Sequence, residues 1–98
     1  MDIFPSNRVL ERAILDILIN ENAPISVSEM NSRVIKLLSL SDEIVNLEDE
    51  NGIDTKLNYR LRWCRTNLKN KNKIKNVNMN IFQITNILSI YFIIMISL

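Results

Sequence analysis

The sequence predicts an α+β domain, mostly helical: three main helices, an extra short helix and a C-terminal β-hairpin. Three observations carry this. The chain has 98 residues, which bounds it to one small domain with a modest core. Its first seventy residues place apolar side chains at helical spacing in successive blocks. The stretch that follows is rich in asparagine and β-branched residues, the mark of a hairpin. Apolar residues make up 47% and charged residues 23%, so the chain is not a disordered one.

The first helix is expected over about residues 7–21, with Ser6 as its N-cap. Val9, Leu10, Ala13, Ile14, Ile17 and Leu18 share one face, and Leu15 and Ile19 widen it. Asn20, Asn22 and Pro24 end the helix. Residues 24–27 read as a short extended piece. Ser26 followed by Glu29 fits a capping box, so a second helix starts there. Met30, Val34, Leu37 and Leu38 form its apolar seam. A short helical piece around Ser41–Leu47 follows, then an acidic loop through Glu48, Asp49 and Glu50, and a turn at Asn51-Gly52.

The third main helix, capped by Asp54 or Thr55 and running to about Asn70, is the most informative. At 100° per residue, Leu57, Leu61, Cys64 and Leu68 fall on one core-facing stripe. Asn58, Arg62, Arg65 and Lys69 form a polar, basic ridge beside it. Tyr59 and Trp63 lie on a third side, one turn apart, and Arg60 sits at the core edge. Residues Lys71–Thr85 then predict a two-stranded hairpin with its tip near Asn76–Asn80, where asparagine supplies the left-handed conformation.

Helix, short strand, helix, a third helix with a basic ridge, then a hairpin is the order of a winged helix-turn-helix. Residues 1–85 form that domain. The charge distribution suggests its partner. Residues 1–54 hold four basic residues against all eleven acids, a sum of −7; residues 55–98 hold eight basic residues and no acid, +8. Such an asymmetry points to a polyanion, and the basic ridge points to double-stranded DNA. Asn58, Arg62, Arg65 and Lys69 are the candidates for the major groove, Asn58 by pairing with adenine and Arg62 or Arg65 with guanine. Lys71, Lys73 and Lys75, with Asn78 on the wing, are the candidates for the phosphate side. Contacts that all go to phosphate and read no sequence are the alternative.

Composition excludes several chemistries. There is no histidine and one cysteine, so an intramolecular disulfide, a zinc finger and histidine-based acid–base catalysis fall away. Gly52 stands alone, so no glycine-rich phosphate loop exists. No metal or other cofactor is expected. Cys64 on the core stripe is expected to be inert. Arg60 needs a carboxylate or carbonyls around it; Glu29 or an acid of the 42–50 loop is the expected partner, a DNA contact the alternative. Tyr59 and Trp63 can stack on bases, but at helical spacing they read first as a packing patch for Phe4, the short helix or the tail.

The stretch Asn58-Tyr-Arg-Leu-Arg-Trp-Cys-Arg-Thr-Asn-Leu68-Lys69, followed by Ile74 and by Ile81-Phe-Gln-Ile-Thr85, resembles the N-terminal domain of Mrr-type restriction proteins. That family shows an arginine, two variable residues, Trp-Ala-Arg-Thr and a leucine-lysine, then a wing closing on an aliphatic-aromatic-x-aliphatic-Thr sequence. Arg60, Trp63, Arg65, Thr66, Leu68 and Thr85 match. Cys64 takes the place of the alanine, and Asn80 that of a glycine before the second wing strand. The acidic short-helix segment at Leu40–Leu47 and the approach from Gly52 to Thr55 are similar too. The resemblance covers roughly residues 8–85 and implies a DNA-recognition domain of a prokaryotic defence system. In the family a nuclease domain that cuts modified DNA usually follows. Its aspartate and Glu-x-Lys or Gln-x-Lys pair has no counterpart here beyond Asp54-Thr-Lys56, where Asp54 reads as a cap. The resemblance therefore implies binding without catalysis, and a nuclease domain or subunit in trans as a further partner.

Residues 86–98 carry no charge. With isoleucine and asparagine at 16 and 14 residues, as an A/T-rich coding sequence produces, the tail reads as a frameshifted or truncated ending. A packing strand and an interfacial anchor are the alternatives. Asp2 and Pro5 do not suit a secretory leader, and a cytoplasmic location is expected. Two other functions remain open: a protein-interaction or dimerisation winged helix using Trp63, Tyr59 and the tail, giving a homodimer, and a peripheral membrane protein anchored by the tail, the less favoured partner.

Overall fold

The computed structural model describes residues 3–85. The apolar tail over 86–98, with each reading offered for it, lies outside the described residues. Helix α1 spans Asn7–Glu21, and the Ser6 hydroxyl accepts the Val9 N–H at 3.2 Å. Asn22 closes it in the left-handed conformation, φ 50°, donating to the Leu18 carbonyl. Leu10, Ala13, Ile14, Ile17 and Leu18 are buried. Val9 is not; it turns outward, because the helices packed on α1 cover the other side of the stripe.

Strand β1, Ile25–Ser26, leads into α2, Val27–Leu37. Ser26 accepts the Glu29 N–H at 3.1 Å. The Glu29 carboxylate turns to Arg33 Nε at 3.0 Å, and Arg33 also donates to Glu21 at 2.8 Å, so α1 and α2 are tied at their exposed edge. Met30 and Val34 enter the core. Leu37, expected in the same seam, is 53% exposed because α2 ends there, and Leu38 packs on the core in its place.

Helix α3 is one turn, Asp42–Val45, capped by Ser41. The acidic loop then folds back on itself. Glu48 bridges Thr55, the Gly52 N–H donates to the Asp49 carbonyl, and the Lys56 N–H donates to the Leu47 carbonyl at 2.8 Å. Gly52 adopts φ 66°, a left-handed conformation that glycine takes without the strain a side chain would add. Helix α4, Lys56–Asn70, starts where the Thr55 hydroxyl accepts the Asn58 N–H. Leu57, Leu61, Cys64 and Leu68 are buried, as their spacing requires.

Strands β2, Ile74–Asn78, and β3, Ile81–Ile84, form the wing. Asn80 at the tip has φ 58°, the conformation its glycine-like place demands. The pairing register shifts between Asn76 and Asn78. The wing is not a free hairpin. β1 pairs antiparallel with β3, Ile25 opposite Phe82, giving a three-stranded sheet of order β1-β3-β2. The Val27 N–H also donates to the Asn80 carbonyl at 2.8 Å, so the wing tip is bonded to the start of α2. Ile25, Ile74, Phe82 and Ile84 close one core with the helices. This is a winged helix. Among the described residues no helix is long and apolar enough to cross a membrane.

Candidate nucleic-acid interface

Helix α4 packs its leucine stripe on α1 and leaves the opposite side to solvent. On that side stand Tyr59, Arg62, Trp63, Thr66, Lys69 and Asn70, all exposed. Tyr59 and Trp63 meet edge to face, centroids 6.4 Å apart and planes at 69°. Trp63 is 50% exposed, a large apolar surface with no partner to cover it among the described residues. Phe4, one expected neighbour of this pair, lies instead under two cations, Lys56 Nζ at 4.5 Å and the Arg60 guanidinium at 5.6 Å from the ring centroid.

The polar ridge of α4 is graded in burial. Arg62 projects into solvent, its side chain 64% exposed, and its Nη2 donates to Asp54 Oδ2 at 3.4 Å. Asn58, half-buried, donates from Nδ2 to Asp54 Oδ1 at 3.1 Å. The Thr55 N–H donates to the same oxygen at 2.7 Å. These bonds, Asn58 first, hold the Asp54 carboxyl below the usual carboxylate range. Arg65 turns the other way. It is only 8% exposed, and its Nη1 donates to Asn31 Oδ1 on α2 at 3.1 Å. Burial, and secondarily the positive charge of Arg62, push its pKa down. Lys69 stands exposed in the last turn. The four residues thus share one side of the helix, but Arg65 is out of solvent, its guanidinium bonded to Asn31 of α2.

Arg60 finds neither Glu29 nor an acid of the 42–50 loop. Its Nη1 donates to Asn7 Oδ1 at 3.0 Å and its plane meets Phe4. A neutral amide and an aromatic face serve where a carboxylate was expected. Lys71 is exposed with Nζ 3.9 Å from Glu11 Oε1. Lys73 is half-buried, and its carbonyl accepts both the N–H and the hydroxyl of Thr85. Lys75 stands exposed on β2 opposite Gln83. Asn78 is exposed, but its Oδ1 accepts the Met79 N–H at 2.8 Å and shapes the wing tip.

Cys64 is fully buried and donates weakly to the Asn7 carbonyl at 3.8 Å. Burial first, then the negative charge of Glu11, push its pKa up to about 11. Among the described residues no three His, Cys, Asp or Glu side chains gather to hold a metal. Sequence reasoning read Asp54 only as a cap and passed over Asn31. Asp54 was legible in principle, since Asn58 and Arg62 follow it at four and eight residues, one and two turns on.

A model of the Mrr N-terminal domain family matches residues 9–87. No curated protein and no solved structure matches the chain.

Proposed function

The chain belongs to the Mrr N-terminal domain family, and from that premise we propose that it is a non-catalytic module that binds duplex DNA in a restriction system. Helix α4 enters the major groove, which is about 12 Å wide and admits one helix. The single observation that carries this reading is the solvent face of α4, where Arg62, Lys69 and Thr66 surround an exposed aromatic pair with no covering element among the described residues. Arg62 and Asn58 read base edges; Lys69 at the end of α4, Lys71 and Lys73 in the connection after it and Lys75 on β2 contact phosphates, with Asn78 shaping the wing tip. Arg65 supports this face from below through Asn31. The match is to the N-terminal domain of the family, which supports a binding role here, with cleavage assigned to a nuclease domain or subunit acting with it.

The test is fluorescence anisotropy of the full chain with a random-sequence duplex, titrated from about 50 to 200 mM salt. With about four to six phosphates engaged, log K against log[salt] falls with a slope near −4 to −5. Binding that is absent at the lowest salt overturns the reading. The exposed Tyr59–Trp63 pair favours one second reading, a protein-interaction surface, for which the chain self-associates and shows no salt-dependent DNA binding.

A further inference from the structure

Asp54 is the acid that faces the α4 ridge. Two bonds fix its carboxylate before Arg62 is considered: Oδ1 accepts the Thr55 N–H at 2.7 Å and Asn58 Nδ2 at 3.1 Å. Oδ2 is thereby held where Arg62 Nη2 reaches it at 3.4 Å. A carboxylate inside a surface that must meet a polyanion looks counterproductive. Every phosphate brought to Arg62 meets the Asp54 charge as well, and like charges within a few ångströms repel.

The hydrogen-bond inventory resolves this. Asn58 spends one of its two amide hydrogens on Asp54. Its carbonyl oxygen and its second N–H remain, the pair that adenine N6 and N7 require. Arg62 spends one of five N–H donors and keeps a fork for guanine O6 and N7. Because Asp54 is an acceptor only, it settles which end of the Asn58 amide faces it. A base edge carries no net charge, so the carboxylate repels it far less than it repels a phosphate. The same acid therefore pre-orients two readers and turns Arg62 away from the DNA backbone.

Resting on the DNA-binding reading above, we infer that Asp54 is a positioning residue for sequence readout, holding Asn58 and Arg62 for base edges and keeping Arg62 off phosphate. Losing it converts a reader into a phosphate anchor. Non-specific affinity then rises while discrimination falls, an exchange that weakening against wrong partners predicts.

The experiment uses the full chain, a random-sequence duplex and a salt titration, with Asp54→Asn, Arg62→Ala and the double variant beside the wild type. Asp54→Asn is nearly isosteric, its carbonyl still accepts the Thr55 N–H, and Thr55 still caps α4; far-UV circular dichroism checks the helix. Asp54→Asn should bind random duplex roughly 3–10-fold tighter at low salt and steepen the log–log slope by about 0.9, one added phosphate contact. The double variant should lose that gain. Selection from a randomised duplex pool should give a sharper consensus for the wild type than for Asp54→Asn. A helix-cap role alone moves stability and leaves the slope unchanged. Wild-type binding with an Asp54→Asn slope that does not move, or a gain that survives Arg62→Ala, overturns this inference alone. A wild type with no salt-dependent binding overturns the DNA reading and this inference with it.

Discussion

Arg65 on α4 donates to Asn31 on α2 at 3.1 Å, and among the described residues this buried guanidinium has no carboxylate partner. A buried cation answered by an amide alone carries a desolvation cost that the amide offsets only in part. Truncating it to alanine removes the packing of its long stem as well as its bond, so Arg65→Ala should lose about 1–3 kcal/mol of stability. Arg65→Met keeps the volume without the charge and should unfold within about 1 kcal/mol of the wild type, or above it. Urea melts of the two variants check this. A methionine variant as unstable as the alanine variant would mean that the charge itself, not the stem, holds α2 to α4. Arg62→Ala, by contrast, alters a largely exposed side chain, so its effect on DNA binding is free of a fold effect.

Cys64 should resist alkylation in the native protein at pH 8. Its thiol is buried, and burial pushes its pKa up to about 11, so the reactive thiolate is scarce as well as inaccessible. The folded value lies above the ordinary one of 9.0. The resulting contribution to stability is therefore complete below about pH 9 and lost as the pH rises through about 11. Iodoacetamide labelling with and without urea, followed by mass spectrometry, measures the first point. Native labelling as fast as in urea would show that α4 opens locally.

How far the chain could be read beforehand depends on how local each feature is. The stripe of Leu57, Leu61, Cys64 and Leu68 was legible because helical periodicity alone sets it. Ser6 and Ser26 were legible as caps because each acts on an N–H three residues on. The burial of Arg65 was not, since it depends on tertiary neighbours, Asn31 of α2 among them, rather than on the spacing along α4. Arg60 found Asn7, fifty-three residues away, instead of an acid. Nor does a two-residue strand announce that Ile25 will pair with Phe82. Leu37 shows the converse: its spacing suits the core, but the helix ends before the core reaches it.

Asn80 holds the wing tip at φ 58° and lends its carbonyl to Val27. The bond to Val27 uses backbone and survives substitution; the left-handed conformation does not suit a β-branched side chain. Asn80→Val should cost about 1–2 kcal/mol, and Asn80→Gly should be close to neutral. Thermal melts compare them. Equal melting temperatures for the two would mean that the tip relaxes out of the left-handed region at little cost.

Trp63 is the single tryptophan, so its fluorescence reports on one place only. Half-exposed and edge to face with Tyr59, it should emit as a water-exposed indole and be readily quenched by acrylamide. Acrylamide suits the test because it is neutral, whereas iodide would be drawn to Arg62 and repelled by DNA. Saturating duplex should lower the quenching constant if α4 enters the groove, since the indole then lies between protein and bases. Trp63→Ala should lose about 1 kcal/mol of stability or less, because the ring contributes its contact with Tyr59 rather than core packing. Two outcomes separate the partners this face can have. Quenching that falls only with duplex places DNA on it. Quenching that falls as the protein is concentrated, with no DNA present, places a second copy there, and then the aromatic pair and not the cations beside it sets what the domain binds.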